Sequence, residues 1–169
     1  MIVIMIIGVI YTMSIGKIHS STITTDDLNL KNLKNYLLSL KKDLKIDNFS
    51  KIKLLCLDNC SECNIYIDGK KVTAKTIDNL VDADVKTYRY DLMNGLNEIQ
   101  KDVYFNKENV QEDVCFSYTI NSHGIGDQVI VESNGMFYDY TDYFQGTKIY
   151  SSQSELVDAK ENMAQEVLR

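Results

Sequence analysis

Met1-Ile2-Val3-Ile4-Met5-Ile6-Ile7-Gly8-Val9-Ile10-Tyr11-Thr12-Met13-Ser14-Ile15-Gly16 carries no charge, and Lys17 is the first residue that does. A run that is apolar on every face suits lipid, or the centre of an assembly, better than the surface of a domain. As a helix, about 16 residues extend roughly 24 Å. A hydrocarbon core of about 30 Å takes roughly 20 residues to cross. The run is also a poor secretory signal, because no Lys or Arg precedes it and Gly16-Lys17-Ile18-His19-Ser20 offers no small-residue cleavage site. The competing readings are a membrane or assembly-core helix, a generic single-pass anchor, a signal peptide and a buried core helix.

Beyond Lys17 the chain reads as a water-soluble domain. Thr24-Thr25-Asp26-Asp27 supplies a helix start, with a hydroxyl to accept a backbone N–H and acids placed favourably for the dipole. Leu30, Leu33, Leu37, Leu40 and Leu44 then recur at spacings of three and four, which makes one apolar stripe. Its expected role is to pack on the protein's own sheet.

After Phe49 the period shortens to two. Strands are predicted over Lys51–Leu57, Cys63–Asp68, Lys71–Thr73, Val85–Leu92, Asp102–Phe105, Val114–Ile120, Gln128–Glu132, Gly135–Tyr140 and Lys148–Tyr150. Asp68-Gly69 and Asn134-Gly135 mark tight turns. Val114–Ile120 and Gln128–Glu132 are expected to pair across the loop Asn121–Asp127. Ser154–Leu168 closes the chain as an amphipathic helix, with Leu156, Ala159, Met163 and Val167 on one face and Ser152 or Ser154 as its cap. The predicted fold class is α+β: a long N-terminal helix, apolar in its first half and amphipathic in its second, packed on an antiparallel sheet, with a C-terminal helix. Residues 1–24 form the apolar segment and joint, and 25–169 the globular domain.

With 169 residues, 44% hydrophobic and 25% charged, the chain is the size of one domain and rich enough in apolar residues to fold. A net charge of −6 argues against a nucleic-acid surface. No catalytic constellation stands out. His123, in His123-Gly124-Ile125-Gly126-Asp127, reads as part of a glycine-bearing loop, and Gly124-x-Gly126 is too short for a dinucleotide loop. The chain is read as a non-enzyme without cofactor. Phe137-Tyr138-Asp139-Tyr140-Thr141-Asp142-Tyr143-Phe144 reads as a strand edge and loop covering the core, or as a contact patch.

Cys56, Cys60, Cys63 and Cys115 are the only thiols. Four thiols can form two disulfides in an oxidising compartment, with three connectivities. They can also hold a tetrahedral zinc, for which Cys60-x-x-Cys63 has suitable spacing, or act in redox chemistry.

Met1-Ile2-Val3-Ile4-Met5-Ile6-Ile7-Gly8-Val9-Ile10 resembles the interior of the N-terminal helix of type IV pilins and type II secretion pseudopilins. In that family a basic leader ends in Gly, a Phe-Thr-Leu-Ile-Glu-like start follows, and then comes an apolar run containing a Gly. The resemblance covers about the first 18 residues and is one of architecture beyond them. The cleavage site and the Glu are missing from this chain, so the natural product is expected to start upstream of Met1. Gly16 stands where many pilins carry Pro. The resemblance implies prepilin-type processing and N-terminal methylation, and a structural subunit of a type IV pilus, type II secretion or DNA-uptake filament. Its partners would be other pilin subunits, reached through residues 1–10, and the inner membrane. The alternative is a membrane-tethered extracytoplasmic binding or sensor domain. Either setting is oxidising, which favours disulfides; the expected pairs are Cys60–Cys63 and Cys56–Cys115. Because major pseudopilins bind calcium near a C-terminal loop, Asp139 and Asp142 are weak calcium candidates.

Overall fold

The computed structural model describes residues 28–44, 48–106, 108–143 and 146–167. The candidate membrane and filament-core residues Met1–Ile10, and the helix start at Thr24–Asp27, lie outside them.

The described chain is predominantly β, with ten strands in two sheets and two helices. Its elements are α1 (Leu33–Asp43), β1 (Lys51–Leu57), β2 (Glu62–Ile67), β3 (Lys70–Asp78), β4 (Lys86–Asp91), β5 (Gly95–Glu98), β6 (Val103–Phe105), β7 (Gln111–Asn121), β8 (Ile130–Ser133), β9 (Met136–Asp139), β10 (Lys148–Tyr150) and α2 (Gln153–Val167). The first sheet runs β3-β2-β1-β7-β6 and the second β10-β9-β8-β4-β5. Every pairing between strands is antiparallel.

This corrects the expected fold class. In place of a long helix on one sheet there are two sheets, and the helix against the first has 11 residues. The apolar stripe is present and buried, but the helix that carries it has only three turns. Asn29 and Asn32 exchange side-chain and backbone hydrogen bonds ahead of Leu33, and the Asn32 carbonyl accepts from Tyr36 N–H at 2.9 Å. Asx residues of this kind fix a helix start by satisfying its first N–H groups. Among the described residues no helix is long and apolar enough to cross a membrane. The described chain therefore lends no support to placement as a single-pass inner-membrane protein, or to a pilin-type helix.

The first sheet buries one face under α1, and Leu55 and Asn64 are buried on the other. Along β1, Ile52, Leu54 and Cys56 point inward, and their neighbours Ile120, Tyr118 and Phe116 on β7 and Ile67, Ile65 and Cys63 on β2 continue the layer. Leu33, Tyr36, Leu37 and Leu40 of α1, all fully buried, cover it. Burial of side chains this size contributes roughly 1.5–3 kcal/mol each before ordering entropy is subtracted. Val85, Val129, Val131 and Tyr140 join the same cluster from the second sheet and its approaches. The rings of Tyr118 and Tyr140 lie 4.7 Å apart, so the sheets share a core. A smaller cluster, Ile130, Phe137, Tyr150 and Leu156, seats α2 on the second sheet. Ser152 caps α2 by accepting from Glu155 N–H at 3.2 Å, while the Glu155 carboxylate reaches back to Ser151 N–H at 2.8 Å.

Two turns were set by their dipeptides. Asp68 and Gly69 take φ of 48° and 81°, and Asn134 and Gly135 take 53° and 71°. Positive φ at both central positions is what a two-residue hairpin turn requires. One pairing was not as expected: β7 and β8 do not form a hairpin. β7 pairs with β1 and β6, whereas β8 pairs with β4 and β9. The loop between them carries the chain from one sheet to the other. It is curled by Asn121, whose side chain accepts from His123 N–H at 2.9 Å and Ile125 N–H at 3.0 Å.

Candidate functional site

The cysteines lie where the β1–β2 turn meets β7. The turn closes through Cys60 N–H to the Leu57 carbonyl at 3.0 Å, with Asp58 and Cys60 both at positive φ. A bulge in the β1–β7 register falls at Cys56/Leu57. All four thiols are in disulfides, which pair Cys56 with Cys63 and Cys60 with Cys115. The expected connectivity is therefore corrected. Cys56 and Cys63 are directly opposite in the β1–β2 ladder, 4.1 Å apart at Cα. That closeness makes them natural partners and leaves Cys60, on the turn, for Cys115 across on β7. A turn centred between Asn59 and Cys60 already places residues 56 and 63 opposite one another, so the signal was present in the sequence. With the sulfurs paired and the residues buried, the cluster neither ligates zinc nor cycles as thiols in this state.

Asp139 and Asp142, the calcium candidates, are engaged otherwise. Asp139 is 1% exposed and accepts from Thr141 N–H at 2.9 Å, from the Thr141 hydroxyl at 2.7 Å and from Lys160 Nζ at 2.5 Å. Lys160 also donates to the Thr141 hydroxyl. Asp142 meets Lys148 at 3.5 Å. A lysine beside each carboxylate already supplies the positive charge that a cation would bring. Among the described residues, no group of three or more His, Cys, Asp and Glu could hold a metal. The Asp139–Lys160 pair is a structural clasp between β9 and α2. Such a pair is stable only while both members remain, because either one alone is a buried charge.

His123 is exposed on the sheet-switching loop, with Ser122 Oγ 3.4 Å from its Nδ1. Nothing among the described residues assembles a third partner around it, so no nucleophile–base–acid geometry forms there. The aromatic run divides. Phe137 and Tyr140 are buried, Tyr138 is half-buried, and Tyr143 is 53% exposed. Tyr140 donates to the Leu30 carbonyl, tying the approach to α1 to the second sheet. Burial, with Tyr118 and Tyr138 close by, holds the Tyr140 hydroxyl well above its ordinary pKa.

Sequence reading missed the surface along the edge of the first sheet. Val103 and Phe105 on edge strand β6, and Val110 just before β7, are 51%, 56% and 53% exposed. Val103 and Phe105 are two apart and so share one face of the strand. A period-two strand of three residues carries too short a pattern to show which face meets water. Comparison with family models, with curated proteins and with solved structures finds no match for this chain.

Proposed function

We propose that the chain is a non-enzymatic structural or binding domain that works outside the cytoplasm, in an oxidising compartment, by associating with other proteins. The observation that carries this reading is the pair of disulfides that takes up every cysteine. Such bridges form and persist in oxidising compartments and are rare where glutathione and thioredoxin keep thiols reduced. The exposed apolar side chains of Val103, Phe105 and Val110 at the edge of the first sheet support association as the mode of action. The narrower reading, a pilin-type filament subunit, rests on the apolar run alone. The helix-on-one-sheet plan it implies is not the plan of the described domain.

Thiol trapping in the producing cells tests the compartment. Acid quenching followed by a mass-tagged maleimide is expected to label no cysteine unless reductant is added first. Labelling of all four without reductant would place the chain in a reducing compartment and end the proposal. Site-specific photo-crosslinking from position 105 in the same cells tests association. A discrete protein adduct from 105, absent from Lys70 on β3, is expected; no adduct from either position would count against it.

A further inference from the structure

We propose that the cleft between the two sheets is a binding site for a small acidic saccharide, a ligand carrying a carboxylate and several hydroxyls. The cleft is open to solvent and has a volume of about 650 Å³. That is within the roughly 300–1,000 Å³ usual for small-molecule sites. One wall is the face of the first sheet turned away from α1. There Lys53 on β1 is directly opposite Thr119 on β7, with Ser117 two residues along on the same face. The other wall is β4, which contributes Arg89, and the connection between β5 and β6, which contributes Lys101 and Asp102. Asp127, from the sheet-switching loop, closes one side.

Two features select the ligand. In a chain of net charge −6, three cations converge on this cleft, and none of Lys53, Arg89 and Lys101 forms an ion pair with a described carboxylate. Lysines without such an ion pair also occur outside the cleft, as at Lys70 and Lys71, so it is the convergence of three cations on one cleft that marks the site. A guanidinium presents a planar fork that matches a carboxylate with two parallel hydrogen bonds. The cations are accompanied, however, by Asp102 and Asp127. Asp127 already accepts Thr119 N–H at 2.7 Å through one oxygen, and a carboxylate keeps further acceptor capacity on the other. A bare anion would use the cations but leave these two carboxylates without a donor. A sugar acid satisfies both sets: its carboxylate meets Arg89 or a lysine, and its hydroxyls donate to Asp102 and Asp127 and accept from Thr119 and Ser117. The volume suits an oligosaccharide of a few rings rather than a single one.

The test is titration calorimetry on the full oxidised chain. The probe is a tetrasaccharide alternating glucuronate and N-acetylglucosamine; neutral chitotetraose, sodium sulfate and triglycine are the comparisons. Saturable one-site binding of the acidic tetrasaccharide is expected, weakened at least about tenfold by Arg89→Ala or Lys101→Ala, the loss of one charge-assisted contact. Lys70→Ala on β3 should leave it unchanged. Both cleft residues are exposed, so unaltered thermal unfolding of the variants will confirm that contacts rather than folding were lost. No saturable binding of the acidic tetrasaccharide, or binding indifferent to Arg89→Ala, would overturn the proposal. So would sulfate, triglycine or the neutral tetrasaccharide binding as tightly, since each would assign the cleft to a different ligand.

Discussion

The two halves of the molecule are fastened by different means. The first sheet buries a whole face under α1, and its strands are tied covalently where β1, β2 and β7 meet. The second sheet seats α2 on a cluster of four buried residues. It also shares the first core through Val131 and Tyr140, and its polar ties include Asp139 to Lys160 and the Tyr88 hydroxyl to Glu132 at 2.6 Å. A disulfide acts largely by restricting the unfolded chain, so it holds wherever the thiols stay oxidised. A buried ion pair acts in the folded state and depends on both partners being present. The first half should therefore answer to redox conditions, and the second to substitutions that leave a charge alone.

Removing the long bridge is the strongest challenge to this contrast. Cys60 and Cys115 are 55 residues apart. A loop that long corresponds to about 4 kcal/mol in the chain-entropy treatment, so Cys60→Ala with Cys115→Ala should lower urea-unfolding stability by about that amount. A loss well under about 1 kcal/mol would show that packing under α1 suffices without the bridge. Next in size is Lys160→Met, which strands Asp139 in a buried site and should cost about 3 kcal/mol. Adding Asp139→Asn to Lys160→Met should restore much of that loss; if it does not, the clasp is not what holds α2. The short bridge comes third. Cys56 and Cys63 are 7 residues apart. Their joint replacement by Ala should cost about 2 kcal/mol, distinguishable from the long bridge in the same urea series.

The smallest effect, absent at neutral pH, concerns the tyrosines where the halves meet. Burial raises the Tyr36, Tyr118 and Tyr140 hydroxyls above their ordinary pKa of 10.0, with nearby Asp43 adding to the first and Asp127 to the second. A phenol whose folded pKa is raised gives stability that is complete below the unfolded pKa. It is lost as pH climbs from about 10 toward the folded value, because the unfolded chain releases its proton first. Tyrosinate absorbance should therefore rise in two stages, exposed phenols near pH 10 and the buried ones only with unfolding. A single smooth titration of all 11 tyrosines would refute a closed junction between the sheets.

Local structure was largely legible from the chain itself. Lys51–Leu57 was bounded as read, and the Asp68-Gly69 and Asn134-Gly135 turns followed from the tolerance of those residues for positive φ. The partition into two sheets was not. Val114–Ile120 and Gln128–Glu132 look like hairpin arms because both alternate around a glycine-bearing loop. The chain does come back antiparallel beside the end of β7, with Ile120 opposite Gly126 and Asp127 N–H donating to the Thr119 carbonyl at 2.9 Å, but then leaves for the second sheet. The β5 strand was missed because Leu92 and Met93, 69% and 93% exposed, sit in a turn held by Asp91, and so the apolar residues there mark no buried face. The disulfide pairing was legible in principle from hairpin register. The inter-sheet cleft was not, since Lys53, Arg89 and Lys101 are brought together only by the packing of separate strands. The apolar run decided the expected architecture, yet a 16-residue segment carries no information about how the strands that follow divide.

The bond between Cys60 and Cys115 also makes the chain tolerant of being cut. A backbone break anywhere between those two residues leaves an upstream piece and a downstream piece still joined through sulfur. The protruding Leu92-Met93 tip falls within that stretch. After a protease clips the tip, the molecule should migrate as one species on a non-reducing gel and as two fragments once reductant is added.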